Sequence, residues 1–132
     1  MELLKAVNTA DQILHSGNSI VFGENTIVEG CAITHTADTA TFTIRKTGLY
    51  RVMCKFNYEA ANIGTANFEL RNYAESAVVE QITQNPQFGT IWLNDVLYLA
   101  AGTAIEVFFP AVVGTTDVLS ISRPVMIISK IR

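Results

Sequence analysis

Hydrophobic and polar residues alternate along much of the chain, and the clearest alternation spans residues 48–58. One set of alternate positions holds Tyr50, Val52, Cys54, Phe56 and Tyr58, and the other holds Arg51, Met53, Lys55 and Asn57. A period of two residues is typical of a β-strand with one buried face. The segment therefore predicts a long strand whose aromatic side lies in the core.

Shorter segments of the same character recur along the whole chain. They cover residues 3–7, 19–22, 31–35, 41–45, 66–72, 77–83, 88–99, 103–109, 118–122 and 125–131. Turn residues separate them at intervals of about 8–12 residues, which is typical of a β-sandwich or barrel. Residues 73–84 are the best helical candidate, but their β-branched pairs favour a strand. We therefore predict one all-β domain, residues 1–132, of about ten antiparallel strands.

The composition strengthens this prediction and adds a second one. Thr, Ile and Val, which pack well on pleated sheets, make up 39 of the 132 residues. Hydrophobic residues account for 49% and charged residues for 16%, with a mean hydropathy of +0.29, whereas an average soluble domain is about 25% charged. We therefore expect that a partner covers some of the apolar surface.

Charge and hydropathy exclude two classes of partner. The net charge is −3, and the basic residues are scattered, with no run longer than Arg45 and Lys46. Because a nucleic-acid site needs a basic stripe, no nucleic acid is expected. The longest apolar runs, such as residues 105–113, fall short of the ~20 residues that span a bilayer. We expect no membrane insertion, and the first residues lack a secretory signal, which indicates maturation in a cytosol.

Residues with catalytic or metal-binding chemistry are few and dispersed. The two histidines, His15 and His35, accompany no Gly-x-Ser-x-Gly motif and no metal-ligand spacing. The glycines occur singly, so no phosphate-binding loop is predicted. Cys31 and Cys54 are too few for a disulfide framework, and we interpret both as small buried hydrophobic residues that stay reduced. We expect no enzymatic activity, no metal and no cofactor.

Two motifs resemble one superfamily. Residues 42–52, FTIRKTGLYRV, resemble the Phe-x-Ile/Val-x-x-x-Gly-x-Tyr signature of the tumour necrosis factor and complement globular-head superfamily. Residues 97–107 resemble its Leu-x-x-Gly-Asp-x-Val segment, with Thr103 where an Asp is usual. In addition, residues 6–11, 20–22 and 30–35 are similar to small proteins that tailed phages of gut Firmicutes encode.

The resemblance implies a ten-stranded jelly roll that forms a homotrimer and does binding or structural work. A closed trimer would also cover the surplus apolar surface of so small a domain. In the phage relatives the implied place is the virion exterior, as a capsid decoration, head fibre or tail-associated knob in contact with other virion proteins. The alternative is an adhesin or receptor-binding module on an extracellular surface, with loops 58–64 and 111–117 recognising host-surface glycan or protein.

The superfamily pattern also implies which face packs between subunits. The face opposite Tyr50 would lie at the threefold axis, and the strand before Leu97 would add to it. The predicted trimer interface consists of Arg51, Met53, Lys55, Thr90, Trp92 and Asn94. Trp92 is its expected anchor. Buried charge must be paired, so we expect Glu69, Asp95 or Glu106 of a neighbouring subunit to pair with Arg51 and Lys55.

Overall fold

The computed structural model describes residues 1–60, 66–72, 77–84, 88–110 and 118–132, and the side chains of 66–67, 77–84 and 88 are left aside. Every regular element within these ranges is a β-strand. The strands are β1 (Leu3–Val7), β2 (Gln12–His15), β3 (Asn18–Ser19), β4 (Glu24–Glu29), β5 (Ile33–Thr34), β6 (Phe42–Ile44), β7 (Gly48–Ala60), β8 (Ala66–Asn72), β9 (Ala77–Gln84), β10 (Phe88–Leu99), β11 (Ala104–Phe109) and β12 (Val118–Lys130).

The strands form two six-stranded antiparallel sheets. Sheet A has the order β10-β7-β12-β1-β4, and β2 pairs with one end of β12. Sheet B has the order β5-β6-β11-β8-β9, and β3 pairs with β11. Each sheet turns one face to a shared core, as in other β-sandwiches. The all-β jelly-roll prediction is confirmed.

The strand boundaries correct the prediction in several places. Strands β2 and β4 were not predicted, because β4 lies at an edge of sheet A and shows no buried alternate face. The segments 118–122 and 125–131 form the single strand β12, which is interrupted by a bulge where Arg123 has a φ of 53°. Segments 19–22 and 31–35 contribute only the two-residue strands β3 and β5. Residues 73–76 lie outside the described residues, while β9 is a strand as predicted.

The core contains the face of β7 that the alternation predicts. Tyr50, Val52, Cys54, Phe56 and Tyr58 are all buried between the sheets. The Phe56 and Phe68 rings meet edge to face, with centroids 4.8 Å apart. Such contacts add to the free energy gained by burying aromatic area. The long strand thus holds sheet A against sheet B.

The Glu2 carboxylate, which precedes β1, bonds to residues of two turns, one after β4 and one between β6 and β7. Glu2 accepts hydrogen bonds from the Lys46 Nζ at 2.9 Å and from the Ala32 amide at 2.8 Å. Gly30, with a φ of 76°, makes room, because a Cβ there would lie 1.9 Å from the Glu2 Oε2. The bonds from Lys46 and Ala32 lower the pKa of Glu2 to about 2.

This tether predicts an acid-sensitive contribution to stability. The pKa of Glu2 in the folded chain lies below its ordinary value of 4.5, so the contribution is present above pH 4.5 and is lost as the pH falls towards 2. We expect Glu2→Gln to lower the urea midpoint at pH 6, and the difference from wild type should shrink between pH 4.5 and pH 2. A constant difference across that range would contradict the assignment.

Candidate functional site

The contacts of His35 are with residues that hold the fold together. His35 stacks on Phe42, with centroids 4.1 Å apart. Its Nε2 lies 2.8 Å from the carbonyl oxygen of Thr39, and its Nδ1 lies 2.6 Å from the Oδ1 of Asn25. Burial lowers the pKa of His35, and the bond to Thr39 opposes this shift. The His35 ring thus connects Asn25 of β4 with Thr39 in the loop after β5.

The two cysteines differ in their surroundings. Cys54 is fully buried, and burial raises the pKa of its thiol. Cys31 is exposed, so the prediction that both cysteines are buried is wrong for this one. It lies in the bend after β4 and not in a strand.

The buried carboxylate Glu106 has its partner in the same chain. Arg71 donates from its Nε to the Glu106 Oε1 at 2.7 Å, and its guanidinium lies 3.4 Å above the ring of Phe108. These groups are on sheet B. Because Glu106 is 3% exposed and already paired, it is not available to Arg51 or Lys55.

The other two expected partners also lie elsewhere. Glu69 is on β8 in sheet B. Asp95 occupies an alternate position of β10 shared with the buried Leu93, and its Oδ1 accepts from the Val96 amide at 2.8 Å. Strand pairing thus places all three carboxylates off the surface that carries Arg51 and Lys55. The expectation that one of them in a neighbouring subunit pairs with these cations is wrong for Glu106, which is buried and paired with Arg71.

The described ranges contain no candidate for an ion-ligand cluster or for a membrane-spanning helix. Within them, no three His, Cys, Asp or Glu side chains come together as ion ligands. Likewise, the part of the chain that the structure describes holds no helix with the length and apolar character to cross a membrane.

The predicted interface residues lie together on the side of sheet A that faces away from the core, which we call the open face. The paired strands arrange this face in three transverse rows. The first row is Val96, Arg51, Ser129, Leu3 and Glu29; the second is Asn94, Met53, Ile127, Lys5 and Ile27; the third is Trp92, Lys55, Val125, Val7 and Glu24. Thr90 and Asn57 pair just beyond the third row. All six predicted residues are thus on one surface.

Large apolar side chains are exposed on the open face. Trp92 is 52% exposed, Val96 45% and Tyr98 74%. The Lys55 Nζ lies 4.8 Å from the centre of the Trp92 ring, a cation–π contact. Sequence reasoning missed the contributions of β1 and β4, although the alternation in residues 3–7 was a usable signal. An exposed apolar surface of this kind marks an interaction site.

One end of the open face is polar. A groove of about 420 Å³ is lined by Asp11, Asn57, Tyr58, Glu59, Gly89, Thr90, Ser120 and Ser122. Thr90 donates from its Oγ1 to the Asn57 Oδ1 at 2.7 Å. In the predicted loop 58–64, residues 58–60 belong to β7, while 61–65 lie outside the described residues. The second predicted loop, 111–117, lies outside them entirely.

Solved structures share this fold. The globular domain of zebrafish complement 1qA protein has a TM-score of 0.73 at 14% identity, and the match covers 100% of this chain and 98% of that one. Eiger TNF from S. frugiperda has a TM-score of 0.74 at 14% identity, covering 100% and 94%. Murine APRIL has a TM-score of 0.68 at 12% identity, covering 96% and 97%. No protein-family model and no curated protein sequence matches the chain.

These likenesses define the fold class. The chain has the jelly-roll fold of tumour necrosis factor and complement globular domains, as the motifs in residues 42–52 and 97–107 implied. At 10–15% identity the likeness establishes the fold alone. The function has to be argued from the open face.

The cysteine environments predict unequal thiol reactivity. We expect a thiol reagent to modify one cysteine per chain in the native protein, because only Cys31 is exposed, and both after denaturation without reductant. Cys31→Ser should leave no reactive thiol in the native protein. Two fast thiols in the native state would contradict the buried position of Cys54.

Proposed function

We propose that this protein is a non-enzymatic homotrimer whose subunits pack through the open face of sheet A, and that it serves as a structural protein on the exterior of a phage-type virion. The observation that carries the proposal is the exposure of Trp92, Val96 and Tyr98 on one face of a sheet whose other face is the core.

The composition of the open face supports self-association. Its strands β7, β12 and β1 contribute apolar residues that are half-buried in the single chain, namely Met53, Ile127, Val125, Leu3 and Val7. Apolar area removed from water contributes roughly 25 cal/mol per Å². A closed ring lets every copy cover this face without leaving an exposed patch. The similarity to trimeric domains, which the sequence motifs implied, favours three copies.

The place in a virion rests on the opening third of the chain. The support is the resemblance of residues 6–11, 20–22 and 30–35 to small phage proteins, which is an interpretation of the sequence alone. The proposed roles are capsid decoration, head fibre or tail-associated knob, with other virion proteins as partners. Mass spectrometry of particles purified from a host carrying the gene tests this. We expect the protein to copurify with particles through a density gradient, and its absence from them would refute the virion role.

A second candidate function is recognition of host-surface glycan. The polar groove favours it, since carboxylates such as Asp11 and Glu59 beside hydroxyl and amide groups suit the hydrogen bonds of a saccharide. A saturable signal on a glycan array, abolished by Glu59→Ala together with Asn57→Ala, would support this function. Binding that persists in the double variant would exclude the groove as its site.

The proposal predicts the mass in solution. We expect about 43 kDa, three times the 14.4 kDa of the chain, by light scattering coupled to size exclusion. Because a large apolar face is buried, the trimer should persist at micromolar concentration. A species of the single-chain mass at these concentrations would contradict the proposed trimer.

The position of Trp92 predicts an effect on assembly larger than its effect on folding. Since the indole is 52% exposed in the single chain, Trp92→Ala should change the stability of the folded chain little but weaken the trimer by about 2 kcal/mol or more. Val28→Ala, which shortens an exposed side chain away from the open face, is the control. If the Trp92 variant remains trimeric at nanomolar concentration, this role of Trp92 is wrong.

A further inference from the structure

The first and third rows of the open face each carry opposite charges on two different strands. Arg51 and Lys55 lie on β7, next to the β10 edge of sheet A, whereas Glu29 and Glu24 lie on β4, at the opposite edge. All four side chains are exposed. The register places Arg51 and Glu29 in the first row, and Lys55 and Glu24 in the third. Each outer row therefore carries a cation near one edge and a carboxylate at the other.

The distance across the sheet keeps these charges apart within one chain. Strands β12 and β1 separate β7 from β4, and neighbouring strands are about 4.8 Å apart. The charges in a row are thus three strand spacings from each other, roughly 14 Å, which exceeds the Debye length in physiological salt. None of the ion pairs between described residues involves these four side chains, so a neighbouring copy could supply an opposite charge to each.

A cyclic trimer supplies such a partner. Its contacts are head to tail, so the β10 and β7 side of one copy meets the β1 and β4 side of the next. Rotation about the axis leaves height along the axis unchanged. If the strands run along the axis, each row of one copy therefore meets the same row of its neighbour.

We propose that the copies recognise one another through two ion pairs, Arg51 with Glu29 of the next copy and Lys55 with Glu24 of the next copy. The inference rests on the proposed trimer and deepens it by naming the register. The second row agrees with this register, because it sets Met53 against Ile27 and Asn94 against Lys5 of the next copy. All three rows are then complementary.

A cavity beside the third row fits the same arrangement. It measures about 210 Å³ and is lined by Val7, Asn8, Thr9, Gly23, Glu24 and Asp38. Its lining thus includes a second carboxylate, that of Asp38, besides that of Glu24. The lysine ammonium is compact and sits on a flexible stem, which suits entry into such a recess. In the proposed arrangement the Lys55 ammonium enters this recess of the next copy and meets two carboxylates there. The Trp92 indole, which belongs to the same chain as Lys55, covers the ammonium from the other side.

Charge reversal tests the pairing. Arg51→Glu with Lys55→Glu, and separately Glu24→Lys with Glu29→Lys, each place like charges together. We expect each double variant to raise the concentration at which half of the chains are trimeric by about 100-fold or more. Combining all four substitutions in one chain restores opposite charges in every contact, so this variant should assemble like wild type. Light scattering over a dilution series measures assembly, and circular dichroism reports folding.

Two further variants keep the test decisive. Arg45→Glu, which reverses an exposed charge beyond the open face, should leave assembly unchanged. Glu24→Gln with Glu29→Gln removes the carboxylates without adding charge, and it should weaken the trimer even if the reversed chains fail to fold. A trimeric wild type with unaffected double variants would overturn the pairing alone. A monomeric wild type would overturn the trimer as well.

Mixing the two reversed chains separates a trimer from a dimer. In a two-membered ring every contact between the chains is complementary, so mixing would restore full assembly. A three-membered ring always retains one contact between chains of the same kind. We therefore expect mixed trimers that are less stable than wild type in native mass spectrometry. Full recovery on mixing would contradict the threefold arrangement.

Discussion

The organisation of this protein depends on one constraint, which is that a sheet has two faces and this domain has one core. Strand β7 lies between β10 and β12 in sheet A, and its aromatic alternate positions pack against sheet B. The same pleat directs Arg51, Met53 and Lys55 to the opposite side. Nothing in the described part of the chain covers that side, so the burial that stabilises the core also creates the open face.

Sequence predicted this face where alternation is strong and missed it where alternation is weak. The long runs of β7 and β10 put alternate residues on one face, because a period of two assigns a face without any knowledge of pairing, and the superfamily resemblance implied that this face packs between subunits. Strand β4 gave no such signal, since it pairs with only β1 and a bulge near Ala6 shifts its register. Its exposed sequence, ENTIVE, reads equally well as a loop.

The mistaken choice of Glu106 as a partner has the same origin. Charge requirements predicted carboxylate partners for Arg51 and Lys55, but a search by residue type could not tell which carboxylates share their surface. Glu106 was a reasonable candidate until the register placed it in sheet B beside Arg71. Which residues lie opposite each other is a property of long-range pairing, and a single sequence does not contain it in readable form.

In the proposed trimer, apolar and charged residues on the open face contribute differently to assembly. Burial of Trp92, Val96 and Met53 favours association but tolerates sliding of one copy along another, since apolar contact is not directional. Charges fixed at the two outer rows oppose such sliding, because a shift by one row would set Arg51 against Ile27. Contact with Trp92 also holds Lys55 in place before assembly, which reduces the entropy that pairing must overcome. In the proposed trimer, apolar residues of the open face thus provide the affinity between copies, and its charged residues fix their register.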